Sequence, residues 1–216
     1  MNSETNIQLT ITEGQTPLMA GQASLSNKLQ TLEVCRQADI VAVDTETTGF
    51  GIRDGTDHAY GVSLSARNKK GTLYSAYYPI RHRLAGGDLD PDNMTEEVYK
   101  QVKEVVENAP LVVFHNAKFD LVSLETLDIY RRLDFVCTLI LAHLIDENRP
   151  ASKSLDNCTK YYLGYYGKEK SDVLEVFIKH FGWDKIPAAM MDRYAEVDAK
   201  VTLELYEKLI KKVDFE

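Results

Sequence analysis

The chain has 216 residues, 44% of them hydrophobic, which suits one domain, or one domain with an extension, around an ordinary buried core. Its formal net charge of −8 argues against binding nucleic acid through bulk positive charge, although a local basic face stays open. Three widely spaced cysteines form no zinc or disulfide pattern, no apolar run reaches membrane-spanning length, and no secretory signal begins the chain. We therefore expect a cytoplasmic protein without a membrane partner.

Two segments are predicted along the chain. Residues 1–37 are predicted to form an N-terminal extension, in which leucines recur at helical spacing from Ser24 onward. The short alternating patch at residues 7–11 fits either an edge strand or a loose tail. Residues 38–216 are predicted to form the main domain, because no linker or repeat divides them.

The main domain begins with a strongly apolar strand that runs into two carboxylates. Residues 40–43 (Ile-Val-Ala-Val) have the composition of a strand buried on both faces. Asp44 and Glu46 follow, and residues i and i+2 of a strand point to the same side. Two like charges on one face are costly unless a cation neutralises them. The alternative is a strand end at which each carboxylate faces water.

The remaining periodicities predict an α/β fold with a mixed central sheet, its first three strands antiparallel, flanked by helices. A hairpin turn is predicted at residues 68–71, and Thr95 is predicted to cap a helix. The helix at 139–145 is predicted to be buried. The predicted strands span residues 40–45, 59–65, 72–78, 111–114 and 135–138, and the predicted helices 24–38, 95–109, 121–127, 139–145, 154–163 and 187–212.

Three further polar residues occur where they could join the two carboxylates. Asp120 follows the fourth strand, and Tyr194 and Asp198 lie one turn apart on the last helix. Asp198 sits among apolar neighbours, and an aspartate that points towards a core needs a partner, which a metal shared with Asp44 and Glu46 would be.

Each of these residues also has a plain structural interpretation. Asp120 can be a carboxylate at a helix N-terminus, and Tyr194 can be a core residue. Asp198 can form an ion pair with Lys200 or Lys208. The order and spacing of the whole set favour a shared site over these separate roles.

Taken together, these residues resemble the three motifs of the 3′–5′ exonuclease superfamily with four acidic residues, in its tyrosine subgroup. The resemblance is closest to the proofreading domain of DNA polymerase I-type enzymes and covers about residues 38–212. Phe119 departs from the pattern, because the family often carries tyrosine there. No polymerase motif follows within the 216 residues, so we expect a stand-alone chain. The motifs are residues 43–47 (Val-Asp-Thr-Glu-Thr), 115–120 (His-Asn-Ala-Lys-Phe-Asp) and 193–202 (Arg-Tyr-Ala-Glu-Val-Asp-Ala-Lys-Val-Thr).

The resemblance implies a ribonuclease H-like fold and two divalent ions, Mg²⁺ or Mn²⁺. It implies that Asp44 bridges both ions, that Glu46 and Asp198 complete the site that activates water, and that Asp120 holds the second ion. Oxygen ligands of this kind favour these metals over zinc.

The resemblance also implies roles for residues that contact the substrate or the attacking water. Tyr194 would orient the water through its hydroxyl. Phe50 would stack against the terminal bases, although it can equally be a loop residue folded onto the core. Asn116 would contact the terminal nucleotide, and Thr45 would contribute through its backbone. A structural role is favoured for His115.

The expected function is metal-dependent removal of nucleoside 5′-monophosphates from the 3′ ends of single-stranded DNA, in replication, proofreading or repair, with a separate polymerase chain as a partner. An RNA exonuclease similar to ribonuclease D is one alternative. A catalytically silent domain that binds nucleic acid or a polymerase is another, from a different class.

Overall fold

Five strands form one mixed sheet at the centre of this computed structural model, which describes residues 17–131, 134–165 and 172–213. The spatial order is β3-β2-β1-β4-β5. β1 pairs antiparallel with β2 and parallel with β4, and β2 pairs antiparallel with β3, which confirms the predicted mixed sheet. The strands are β1 (Ile40–Thr47), β2 (Ala59–Arg67), β3 (Leu73–Pro79), β4 (Leu111–Phe114) and β5 (Phe135–Cys137).

Helices cover both faces of the sheet. A π-helical turn (Thr159–Leu163) continues α5, and 3₁₀ turns (Trp183–Lys185 and Ile210–Lys212) flank α7. The α-helices are α1 (Pro17–Gln37), α2 (Glu96–Asn108), α3 (Ala117–Glu125), α4 (Thr138–Ile145), α5 (Leu155–Cys158), α6 (Asp172–Phe181) and α7 (Ala188–Leu209).

β1 is buried on both faces, as its apolar sequence predicts. Val41 and Val43 are fully buried in a cluster with side chains of α1, α2 and α3. Ala42 points the other way and packs with Leu203 and Leu205 of α7. Because the side chains alternate, Asp44 and Glu46 continue the row of Ala42 towards α7. The side chains of Asp44 and Glu46 therefore lie on the face of the sheet that α7 covers.

The predicted cap of α2 is confirmed, and other local features of the chain are well defined. Thr95 caps α2 by accepting a hydrogen bond from the Val98 amide at 3.4 Å. Gly164 ends the π-helical turn in the left-handed conformation, with φ 82°. All three cysteines are free and buried, and burial raises the pKa of Cys35 to about 12. None of the helices in the described ranges has the length and apolar character needed to cross a membrane.

Four expectations about helices need correction. α1 begins at Pro17 rather than Ser24, and α6 was not predicted. α3 begins four residues before Leu121, because Asn116 adopts a left-handed conformation that turns the chain directly into the helix. α4 is not fully buried, since Ile140 is 55% and Leu144 66% exposed. The patch at residues 7–11 lies outside the described residues.

Candidate active site

Three carboxylates meet where β1 ends beside α7. Ligand oxygens of Asp44, Glu46 and Asp198 all lie within 4.8 Å of one another. Glu46 is only 9% exposed, whereas Asp44 and Asp198 are partly exposed. Like charges held this close, with restricted access to water, repel one another and favour a bound cation. The structure thus brings together three of the four predicted acidic residues in one cluster.

Asp120, the fourth acidic residue, is buried beside that cluster. One carboxylate oxygen accepts hydrogen bonds from the Thr45 amide at 3.2 Å and the Thr45 hydroxyl at 2.8 Å. Burial, with a smaller contribution from the charge of Asp198, raises the pKa of Asp120 to about 7 against the lowering effect of the hydrogen bonds from Thr45. Thr45, which is predicted to contribute to substrate binding through its backbone, also holds Asp120 through its amide and its hydroxyl.

The neighbouring strand β2 carries small residues opposite the two carboxylates of β1. Asp44 is paired with Ser63 and Glu46 with Gly61. At Gly61 a β-carbon would lie 1.9 Å from the hydroxyl oxygen of Tyr77, so no larger residue fits there unless Tyr77 moves. That Tyr77 hydroxyl is 2.6 Å from Nε2 of His82, which is itself buried. The glycine lets a buried tyrosine pack over β2 on the same face of the sheet as Glu46.

Tyr194 lies one helical turn before Asp198 on α7 and is partly buried. Its ring centroid is 6.1 Å from that of Trp183, in the turn that precedes α7. One turn of separation places Tyr194 and Asp198 on the same side of the helix, as predicted. The tyrosine is therefore positioned next to the carboxylate cluster.

A cleft of about 210 Å³ opens between the loop after β1 and the start of α3, the two segments that follow Glu46 and contain Asp120. Phe50 is 93% exposed, and its ring centroid lies 6.0 Å from that of Phe119, so the alternative in which Phe50 folds onto the core is wrong. Asn116 also lines the cleft. The other residues that line the cleft are Ile52, Arg53, Lys118 and Val122. These four were not identified from the sequence, because nothing in the local sequence pattern indicates a cleft.

His115 has the structural role that the sequence favours. Its Nδ1 is 2.8 Å from the Thr138 hydroxyl and its Nε2 is 2.8 Å from the Lys153 carbonyl. Because a carbonyl only accepts hydrogen bonds, the proton of the neutral ring resides on Nε2. Burial lowers the pKa of His115 to about 4. The histidine, directly after β4, thus connects the first residue of α4 to the loop before α5.

The lowered pKa of His115 gives a testable pH dependence. The folded state disfavours the charged ring, so the stabilising contribution is present above pH 6.5 and is lost as pH falls towards 4. We expect wild-type protein to lose up to about 3 kcal/mol more than His115→Gln over this interval. Denaturant unfolding of both proteins at several pH values measures the difference. Parallel pH profiles would contradict the assignment.

Comparison with known proteins places these observations in a family. A model of the 3′–5′ exonuclease domain found in A-type DNA polymerases matches residues 22–214, beginning within α1. DNA polymerase DpoZ of Salmonella phage PMBT28 is 34% identical over 180 residues, 77% of this chain and 25% of the relative. DNA polymerase I of Pseudomonas aeruginosa is 26% identical over 213 residues, 94% of this chain and 22% of the relative.

The fold also occurs in ribonucleases. The crystal structure of Escherichia coli RNase D superposes with a TM-score of 0.56 at 17% identity, covering 86% of this chain and 42% of that one. This likeness shows the ribonuclease H-like α/β fold. The family model matches nearly the whole chain, from residue 22 to residue 214. The chain therefore belongs to the 3′–5′ exonuclease family of DNA polymerase I-type enzymes. It spans about a quarter of the length of the two polymerase relatives.

Proposed function

We propose that the protein is a metal-dependent 3′–5′ exonuclease that removes nucleoside 5′-monophosphates from single-stranded DNA in the cytoplasm. The observation that carries the proposal is the cluster of Asp44, Glu46 and Asp198, with Asp120 buried beside it. Four carboxyl groups around one strand end would destabilise a domain that did not use them to hold cations.

The donor set fits two divalent ions, Mg²⁺ or Mn²⁺. It consists of carboxylate oxygens, which these ions prefer to nitrogen or sulfur ligands. Asp44, Glu46 and Asp198 are close enough to share a ligand site, and Asp120 is oriented by Thr45 at its side. Ions held by these carboxylates would supply a lowered pKa for the attacking water and a positive charge beside the leaving oxygen.

The chain's own side chains position the substrate and the water. Phe50 and Phe119 form a tilted aromatic pair on which a terminal base can stack without regard to sequence. Asn116, at the wall of the cleft, can donate a hydrogen bond to the terminal nucleotide. A tyrosine hydroxyl, with a pKa of about 10 in peptides, is a poor general base. We therefore give Tyr194 the role of orienting the attacking water through its hydroxyl.

Tyr194→Phe tests the role of that hydroxyl. We expect kcat to fall by roughly tenfold to a hundredfold, because the water loses one orienting partner. The affinity for Mn²⁺ should stay within about twofold of wild type, since no carboxylate changes. Single-turnover cleavage and calorimetric Mn²⁺ titration measure the two quantities. Full activity in this variant would remove Tyr194 from the mechanism.

Phe50→Ala tests the stacking platform. Because Phe50 is 93% exposed, its loss should change the free energy of unfolding little. Loss of one base stack, about 1–3 kcal/mol, should raise KM for single-stranded DNA by roughly fivefold to a hundredfold. Leu144→Ala, an exposed apolar residue of α4, is the matched control and should leave KM unchanged. Equal KM values for Phe50→Ala and Leu144→Ala would show that the terminal bases do not stack on Phe50.

The similarity to DNA polymerases supports the choice of DNA as the substrate and of a role beside a polymerase, in the proofreading of 3′ ends. The observation behind this choice is the 34% identity to a phage DNA polymerase over 77% of the chain. The fold shared with RNase D keeps an RNA 3′–5′ exonuclease as the second candidate.

The proposal is tested with 5′-labelled single-stranded oligonucleotides of one sequence, as DNA and as RNA. Each is incubated with Mg²⁺, Mn²⁺ or EDTA. We expect a ladder that shortens from the 3′ end of the DNA, with none in EDTA. Faster shortening of the RNA would favour the ribonuclease function. No cleavage of either strand with either metal would favour a silent binding domain.

A further inference from the structure

Lys28 of α1 connects that helix to α7 around the outer edge of β3. Its ammonium lies 2.5 Å from Oδ1 of Asp192 and donates a hydrogen bond to the Tyr77 carbonyl at 2.6 Å. The Tyr78 hydroxyl in turn donates to the carbonyl of Lys28 at 2.8 Å. Lys28 is only 6% exposed, and lysines are almost never buried this deeply unless they are paired. The ammonium therefore has a defined position between the two helices.

The place of Asp192 on α7 explains why this contact matters for the carboxylate cluster. At about 100° per residue, Met191, Ala195 and Ala199 form a buried arc of the helix. Asp192 lies at one border of that arc. Asp198 lies at the opposite border, about 120° away, and Tyr194 lies about 40° beyond it. A contact that holds Asp192 therefore restrains the rotation of α7 about its axis, and this rotation determines where Tyr194 and Asp198 lie.

Two hydrogen bonds hold the backbone of α7, in addition to the packing of its apolar side chains. Asp90 accepts a hydrogen bond from the Ala188 amide at 2.9 Å, and the Ser75 hydroxyl donates to the Glu196 carbonyl at 2.7 Å. These bonds lie close to the helix axis and resist sliding along it. Lys28 instead binds the side chain of Asp192, which lies farther from the helix axis. At that distance, a small rotation of α7 about its axis moves the bound carboxylate farther than it moves the backbone.

The required precision is high. A roll of about 10° moves a carboxylate about 6 Å from the axis by roughly 1 Å. Displacements of about 1 Å in a catalytic group can lower rates by about a hundredfold. The small residues of the buried arc, Ala195 and Ala199, interlock less with the sheet than larger side chains would. The ion pair of Lys28 with Asp192, at the border of this arc, adds a restraint on the roll of the helix.

We propose that Lys28 is a positioning residue, which holds Asp192 and so fixes the rotation of α7 that places Tyr194 and Asp198 in the site. The inference rests on the proposed nuclease function, and it assigns part of the active-site framework to α1. No local sequence signal marks the pair, because its members lie far apart along the chain.

The experiment compares three variants of the full chain. Lys28→Met removes the ammonium and keeps most of the side-chain volume, whereas Lys28→Arg keeps the charge. Arg67→Met is the matched control: Arg67 forms an ion pair with Glu207, 2.6 Å apart, which also joins the sheet to α7. Glu207 lies about 13 Å along the helix from Asp198. This control breaks an equivalent bond far from the site.

Three quantities are measured: Mn²⁺ affinity by electron paramagnetic resonance of the free ion, kcat at saturating Mn²⁺ and DNA, and Tm. We expect Lys28→Met to weaken Mn²⁺ binding and to lower kcat, each by roughly tenfold or more. Lys28→Arg should recover most of both. Arg67→Met should lower Tm and leave Mn²⁺ affinity and kcat within about twofold of wild type.

Wild-type Mn²⁺ affinity and kcat in Lys28→Met would overturn the inference, and so would equal losses in Arg67→Met. If Lys28→Met does not fold, Asp192→Asn removes the ion pair, leaves the bond from Lys28 to the Tyr77 carbonyl, and is held to the same criteria. A wild-type protein that binds Mn²⁺ but cleaves nothing would refute the proposed function. The Mn²⁺ affinities of the variants would still decide the role of Lys28.

Discussion

Asp44→Asn is expected to lower kcat for hydrolysis of single-stranded DNA by roughly a thousandfold or more. The substitution keeps the shape of the side chain and removes one of three negative charges whose oxygens lie within 4.8 Å. Without that charge the site holds divalent ions more weakly, and the leaving oxygen loses its stabilisation. The folded protein should survive, because the change relieves repulsion between like charges.

Two measurements separate loss of chemistry from loss of fold for Asp44→Asn. Wild-type Tm should rise with Mn²⁺, because the ion binds the folded state, and this rise should disappear in the variant. The Tm of the metal-free variant should equal or exceed that of wild type. Asp88→Asn, at an exposed aspartate of the loop after β3, is the control and should behave as wild type. Activity above a tenth of wild type in Asp44→Asn would contradict the assignment.

Gly61→Ala is expected to lower the free energy of unfolding by about 3 kcal/mol, because the new methyl group has no room. Its carbon would lie 1.9 Å from the Tyr77 hydroxyl oxygen and 2.3 Å from the ring carbon that bears it. Tyr77 is 1% exposed and cannot swing into solvent without opening the core. Its displacement would also break the hydrogen bond to His82, whose Nδ1 lies 2.7 Å from the Ile186 carbonyl just before α7.

Thermal and denaturant unfolding measure the effect of Gly61→Ala, for which Tm should fall by about 6–12 °C. Gly86→Ala is the matched control, since the nearest atom to its added carbon is 3.9 Å away. In a Tyr77→Leu background, the penalty of Gly61→Ala should shrink, because the clashing hydroxyl and ring are gone. A stability change below about 0.5 kcal/mol for Gly61→Ala alone would refute the packing argument.

Local chemistry explains which parts of the structure could be predicted from the sequence. The apolar residues before Asp44 define a strand whatever surrounds it, and its alternation fixes the common direction of Asp44 and Glu46. Thr95 and Gly164 are end signals that act within one turn of a helix. The order and spacing of the motifs pointed to Asp120, Tyr194 and Asp198, and the family resemblance implied their roles, for which each residue alone left a structural alternative.

Contacts between distant segments could not be predicted in this way. The pairs Lys28–Asp192 and Thr45–Asp120 depend on how helices dock against the sheet, which no short window of sequence records. The exposed side of α4 was missed because every residue of that segment is compatible with burial. The early start of α3 depends on one backbone conformation, the left-handed φ of 70° at Asn116.

The distribution of the carboxylates along the chain has a consequence for biosynthesis. Asp44 and Glu46 belong to the first strand, whereas Asp198 belongs to the last α-helix of the described residues. A nascent chain that has emerged only as far as β5 contains Asp44 and Glu46 but does not yet contain Tyr194 or Asp198. Closing so long a loop is slow compared with local folding. The polypeptide therefore brings its three clustered carboxylates together only when α7 docks, so an unfinished copy should lack the nuclease activity proposed above.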